Sequence, residues 1–280
     1  SDTEQKRIHG VEVQVAIRPT LPPPWIPPQA ATAQRPQKMP ARPAAREALL
    51  RAPGRDATLS FALSTPLHTL GPFKIPWLKG QRRVRVYVPP DNPAGAAPPV
   101  LYMFDGQNVF DDESSFAGGW FLHHTARDLA RSGRPAPVIV AIDHGGHTRN
   151  RELSPFRMRS RGQANHLVRW IARDLAPQIH REFGVRRDQA GTAIGGSSLG
   201  GLAALYAHFH RPDIFGAALC MSPSLWVARG KIFSHVADQP RPWTTRIYID
   251  AGAHEGQGHM LKQAERMVHQ LRGRGWSDHD

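Results

Sequence analysis

The sequence predicts an α/β protein built on a mostly parallel sheet with helices on both faces, and three observations carry that prediction. Residues 100–104 (VLYMF) and 215–221 (FGAALCM) are short, almost unbroken apolar runs, the pattern of strands covered on both sides. Segments of helical length lie between such runs, and regular alternation of strand and helix favours a parallel sheet. Gly196-Ser197-Ser198-Leu199-Gly200 joins the apolar pair Ala193-Ile194 to a helix-like segment at 202–209, which is a strand, a tight turn and a helix in sequence.

Taken in order, residues 1–80 differ from the rest. Pro22, Pro23, Pro24, Pro27, Pro28, Pro36, Pro40 and Pro43 deny regular helix and central strand, so this part is expected to be an extended, proline-rich arm. Within it, the alternating run Val11-Glu12-Val13-Gln14-Val15 has the period of an edge strand. The catalytic domain is expected over 81–280, opening with the period-two strand 83–88 that Pro89-Pro90 ends. The strand at 100–104 closes at Asp105-Gly106-Gln107-Asn108. A helix near 120–130, a strand at 138–142 and a helix near 165–183 follow, and after the Gly196–Gly200 turn come strands at 215–221 and 246–250 (RIYID) and a helix at 259–271.

In such sheets the chemistry gathers at the carboxyl ends of the strands. Glycines on either side of Ser198 allow a reversal so tight that flanking side chains would collide, leaving the central hydroxyl exposed at the tip. Ser198 is therefore the candidate nucleophile. Glu255 follows the strand 246–250, so serine and acid come in the order an α/β-hydrolase requires.

Composition narrows the alternatives. A chain of 280 residues can bury one α/β core. Its single cysteine, Cys220, falls inside a predicted buried strand, so no disulfide framework is expected. No apolar run approaches the roughly 18 residues needed to cross a bilayer, and a soluble protein is expected, with compartment and oligomeric state unread. The formal net charge of +13 points to anionic partners or to scattered solvated charge. The densest patch is Arg149, Arg151, Arg157, Arg159 and Arg161, placed to attract an acidic substrate. His254, Glu255 and His259 do not have the four-residue spacing of a zinc-binding helix, so no metal or other cofactor is expected. Asp143, His144 and His147 share one loop and read as surface or cleft-lining groups.

With VLYMFDGQNVFDD, TRNRELSP, IGGSSLGGLAALY, SPSLW and IYIDAGAHEG in view, the sequence resembles the putative-esterase family of α/β-hydrolases, over roughly residues 80–275. Its members include siderophore esterases, esterase D-like hydrolases, feruloyl esterases and mycolyltransferases. The resemblance implies that Ser198 attacks an ester carbonyl and that Glu255 orients a catalytic histidine. It puts the oxyanion hole at the backbone N–H groups of Gln107 and Leu199, and it places Trp226 beside an acyl or aromatic pocket, or over the core. Arg149 and Arg151 become candidate substrate-binding residues for an anionic ester such as a catecholate siderophore.

One departure matters. In that family the histidine lies beyond a further strand after the acid, whereas here the helix at 259–271 is followed within nine residues by Asp280. The last strand and helix are expected to be missing, as in a truncated chain. His279 falls where that strand would begin and is the one candidate base within reach; the alternative puts the base past Asp280. An acyltransferase on the same site, or a basic binding module with a degenerate core, would use the same sequence features. The basic residues carry no nucleic-acid motif or aromatic interleaving, so the expected partner is a small-molecule ester and no specific nucleic acid.

Overall fold

The computed structural model describes residues 13–18, 66–115, 118–158, 161–240 and 245–277, the first of these as backbone only. Arg159, His279 and the greater part of the proline-rich arm lie outside the described residues. Among those described, the strands are β1 (Val13–Arg18), β2 (Leu67–Lys74), β3 (Gln81–Tyr87), β4 (Val100–Phe104), β5 (Val138–Ile142), β6 (Thr192–Ser197), β7 (Ala217–Met221) and β8 (Arg246–Gly252). They form one sheet in the order β1-β8-β7-β6-β4-β5-β3-β2. β3 runs antiparallel to both β2 and β5, and every other neighbouring pair is parallel. The expected mostly parallel sheet is present.

The central strands read as unbroken apolar runs because both their faces are covered. Val100, Tyr102 and Phe104 pack with Val138, Val140 and Ile142 in the larger core cluster, together with Leu167, Leu205, Ile232 and Met267. Leu101, Met103, Ile139 and Ala141 face the other way, onto Ala126 and Ala130. The helices that supply these contacts are α1 (Leu122–Arg131) on the second face and α3 (Ala164–Trp170), α5 (Leu199–His210), α6 (Val227–Asp238) and α7 (His259–Gly273) on the first. A single-turn helix, α2 (Arg149–Glu152), follows β5. α3 passes through a π-helical turn, Ile171–Leu175, into α4 (Ala176–Phe183). Pro177 has no N–H to donate there, and the widened turn beside it absorbs the missing bond.

Two features differ from the sequence reading. The sheet begins before residue 81: β2, which contains Gly71-Pro72, lies in the segment that the prolines at 22–43 led us to assign to the arm. β2 is an edge strand, and its register with β3 shifts between Leu70 and Phe73. An edge and a bulge are the places where a sheet tolerates proline. The second concerns the far side of β8, where a last strand was expected to be missing. That place is taken by β1, which pairs parallel to β8 with Val13 opposite Ile247 and Arg18 opposite Gly252. The N-terminal alternating run is thus an edge strand, two residues further along than its pattern suggested. Cys220 is buried and unpaired in β7, and burial pushes its thiol pKa up.

α5 is buried from Leu199 to Phe209, as an all-apolar helix should be, and it carries His208 with it at 0% exposure. Burial pushes the His208 pKa down from 6.5 to about 4. Above the unfolded value both states are neutral. As pH falls below it, the unfolded chain takes up a proton that the folded chain refuses until about pH 4, so stability falls across that window. The expected loss between pH 7 and pH 4 from this residue is about 3 kcal/mol. Urea unfolding at a series of pH values should show a His208→Leu variant losing that much less than the wild type; parallel pH profiles would contradict the assignment.

Candidate active site

The carboxyl ends of β4, β6, β7 and β8 lie side by side. Met103 is opposite Gly195, Ser197 opposite Met221, and Met221 opposite Asp250. The loops that leave these strands carry most of the residues singled out by sequence.

Ser198 links β6 to α5 with φ 58° and ψ −117°, a conformation that costs a non-glycine residue about 1–3 kcal/mol and persists only where its surroundings enforce it. Here they do. A Cβ on Gly196 would stand 2.7 Å from the Gly200 carbonyl carbon, and one on Gly201 would stand 3.0 Å from the Met221 oxygen. The Ser198 N–H donates to the Met221 carbonyl at 2.9 Å, while its own carbonyl accepts from the Leu202 N–H at 3.1 Å and the Ser224 N–H at 3.0 Å. The Ser198 side chain is half-buried, and its Oγ lies 3.1 Å from the Oγ of Ser224.

Ser224 is buried, on the loop after β7. That loop is fixed from below by Asp250, at 0% exposure. The Ser222 N–H donates to both the Asp250 carbonyl at 3.0 Å and its Oδ1 at 2.9 Å, and the Tyr248 hydroxyl donates to Oδ2 at 3.2 Å. Ser222 sits at φ 41°, held there by this clamp. Neither Ser224 nor Asp250 stood out in the sequence. Ser224 lies in the SPSLW stretch, where Trp226 drew the attention.

The loop after β4 is pinned as firmly. Asp105 is buried in a left-handed conformation, φ 56° and ψ 48°. Arg149 donates to it through both arms of a fork, Nε to Oδ1 at 2.6 Å and Nη2 to Oδ2 at 2.8 Å. The hydrogen bond to Asp105 raises the arginine's pKa further, against the cost of its burial. Arg85 Nη2 donates to the Gly106 carbonyl at 2.7 Å. A Cβ on Gly106 would stand 2.6 Å from the Ile142 carbonyl carbon, so the turn lies flat against β5. In that turn the Asn108 and Val109 N–H groups bond to Asp105 and Gly106, leaving the Gln107 N–H outside the pattern. Leu199, the first residue of α5, likewise has an N–H with no preceding helical turn to bond.

His144, on the loop after β5, lines a cavity of about 580 Å³ with Gln107, Asn108, Ser114, Ser115 and Arg149. Its N–H donates to Gln107 Oε1 at 3.2 Å, and its Nδ1 accepts from the Gly146 N–H at 2.9 Å. Burial lowers its pKa, which favours the neutral ring. The cleft-lining alternative for this histidine is what the structure shows.

Other sequence candidates are not drawn together. Glu255 is exposed in the turn after β8, its N–H bonded to the Gly252 carbonyl at 3.2 Å. Trp226 is 47% exposed beyond Ser224, so it does not cover the core. Arg151 faces a different cavity, lined by neither Ser198 nor Gln107. No described histidine is hydrogen-bonded to Ser198, and His279 lies outside the described residues. Among the described residues no His, Cys, Asp and Glu side chains group as metal ligands, and no helix is long and apolar enough to cross a membrane.

Residues 76–279 match the family described as Putative esterase. The chain belongs to that family. It is 25% identical over 214 residues to the uncharacterized protein YbbA of Bacillus subtilis, a match covering 71% of this chain and 81% of the relative. It is 32% identical over 152 residues to an iron(III) enterobactin esterase of Dickeya dadantii, covering 53% of this chain and 31% of that protein. Among solved structures, the enterobactin esterase of Shigella flexneri crystallised with enterobactin shares the fold, with a TM-score of 0.61 and 23% identity over 75% of this chain and 51% of the other. This family member therefore spans about a third to a half of the enterobactin esterases that it matches.

The fork between Arg149 and Asp105 gives Arg149 a structural role. Its guanidinium, 26% exposed against 1% for Asp105, spends Nε and Nη2 on that neighbour while it lines the cavity with Gln107 and His144. Arg149→Gln is expected to lower stability by about 3 kcal/mol, the lower end of the range for a broken buried pair because the arginine is partly solvated. Urea unfolding of both single variants and of the Arg149→Gln/Asp105→Asn double variant checks this. The double variant should lose clearly less than the sum, whereas simple additivity would mean that the pair does not act as one unit.

Proposed function

We propose that this chain is a serine esterase acting through an acyl-enzyme on Ser198, with a siderophore-type ester as its substrate. The observation that carries the reading is the conformation of Ser198: a strained, half-buried residue between β6 and α5, at the head of a helix. Family membership supports ester hydrolysis, and the enterobactin esterase among the relatives supports the substrate class.

The chemistry follows from the parts. Ser198 Oγ attacks the ester carbonyl as a histidine takes its proton, and the alcohol leaves when that histidine returns the proton to it. The charge that develops on the carbonyl oxygen is met by the N–H groups of Leu199 and Gln107, donors held on a helix start and on a pinned turn that need no reorganisation. Water then repeats the sequence on the acyl-enzyme and releases the acid. Glu255 orients the histidine, which is either His279 or a residue past Asp280. Trp226, exposed beside the loop that carries Ser224, covers the acyl side of the substrate. Ser224 holds the Ser198 hydroxyl in one rotamer before attack.

Hydrolysis of p-nitrophenyl butyrate and of enterobactin by the purified chain tests this. The wild type should turn over both, and Ser198→Ala should lower kcat/KM by about 10⁴-fold or more. A Ser198→Ala variant at the wild-type rate would sink the reading, as would a wild type inactive on every ester and still inactive when extended past Asp280. His279→Ala should cost about as much as Ser198→Ala if His279 is the base; full activity would discard that residue. Ser224→Ala removes one neutral hydrogen bond worth about 1 kcal/mol and should lower kcat about fivefold with KM unchanged, read from the same saturation curves.

A further inference from the structure

Arg149 and Arg151, the start of the sequence's arginine patch, do not share one surface. α2 is a single turn, and residues three apart on a helix share a face. Arg149 and Glu152 point inward, to Asp105 and to the buried Arg82. Asn150 and Arg151 point away from them and line a second cavity of about 580 Å³, with Lys79, His147, Phe156 and Met158 also on its wall. No carboxylate is among the residues that line it.

Arg151 is held from behind. Its Nε donates to Gln163 Oε1 at 2.8 Å, and Gln163 Nε2 in turn donates to the Trp77 carbonyl at 2.9 Å. The Gln163 N–H closes the loop by donating to the Arg151 carbonyl at 2.8 Å. The guanidinium plane is thereby fixed with both Nη groups left for another acceptor, a fork that matches a carboxylate in both geometry and charge. Lys79 and His147 are exposed at the same cavity. Phe156 and Met158 give it an apolar wall, with Met158 43% exposed. Cations on one side and a ring and a thioether on the other make an amphipathic site of a size suited to a small organic ligand.

We infer that this cavity is a binding site, separate from the Ser198 centre, for an aromatic carboxylate: the carboxylate on the Arg151 fork, with Lys79 adding charge, and the ring against Phe156 and Met158. The inference stands whether or not Ser198 is a nucleophile, and the experiment keeps the two apart. Calorimetry with 2-naphthoate on the full chain, in the wild type and in Ser198→Ala, should show one saturable site of equal affinity in both. Arg151→Gln should weaken it at least about tenfold, the scale of a lost charge-assisted hydrogen bond. Lys79→Gln, a substitution at an exposed residue that leaves the fold intact, should weaken it about threefold. The neutral 2-naphthamide should bind more weakly than the acid by at least the Arg151 factor. Absence of saturable binding, equal affinity for acid and amide, or full affinity in both Arg151→Gln and Lys79→Gln would overturn the assignment.

Discussion

β6 passes into α5 through a single residue, Ser198. Strand and helix approach so closely that a methyl group on Gly196 would meet the backbone of Gly200, and one on Gly200 would stand 3.0 Å from Asp105 Oδ2. The close approach brings the head of α5 against the loops after β4 and β7. It also rules out an ordinary backbone conformation for the residue at the apex. The cost of that conformation is offset by hydrogen bonds that use both backbone groups of Ser198, to Met221 and from Leu202 and Ser224, and by a helix buried along its length. The rest of the site is arranged around this contact.

The loops on either side are held by buried carboxylates, and the two do different work. Asp250 accepts from a backbone N–H and a tyrosine hydroxyl among the described residues, and so shapes the turn that presents Ser224 to Ser198. Asp105 instead takes a guanidinium fork, which costs desolvation but fixes orientation in a way that a single hydrogen bond does not. A third pair, Arg82 and Glu152, lies deeper, with both side chains almost fully buried. Glu152 also accepts from the Thr148 hydroxyl and the Gly145 N–H. That network ties the β5 loop to β3, and with it the base of the loop on which His144 sits.

The sequence made the fold legible where one face or both of an element is apolar without interruption, as at β4, β5 and α5. It failed at β2, which was grouped with the proline-rich arm; the sheet shows that this strand is an edge with a shifted register, where the missing N–H of Pro72 does no harm. The pairing of β1 with β8 was visible only as a period-two pattern, since a pattern gives a face and never a neighbour. At the site, the glycine spacing around Ser198 was specific because sterics alone demand it. Ser224 and Asp250 left no such mark: their value lies in which backbone N–H they reach across strands, and that is settled by register.

The arginines show most plainly why charge read along a chain misleads. Arg149 and Arg151 are two residues apart, and the sequence placed both on one acidic-substrate surface. A single helical turn sends them to opposite sides, one into a closed pair and the other onto a glutamine-backed fork at an open cavity. The formal charge of +13 therefore does not measure what the site can bind. Arg82, Arg85 and Arg149 are drawn into pairs with Glu152, Asp111 and Asp105, so they stiffen loops and add little field at the cleft. Only cations without a bonded acid, such as Arg151 and Lys79, keep their charge available to a ligand. Long-range attraction of an anion belongs to the whole surface and fades with salt, whereas its recognition rests on the few guanidinium groups that the fold orients and leaves open.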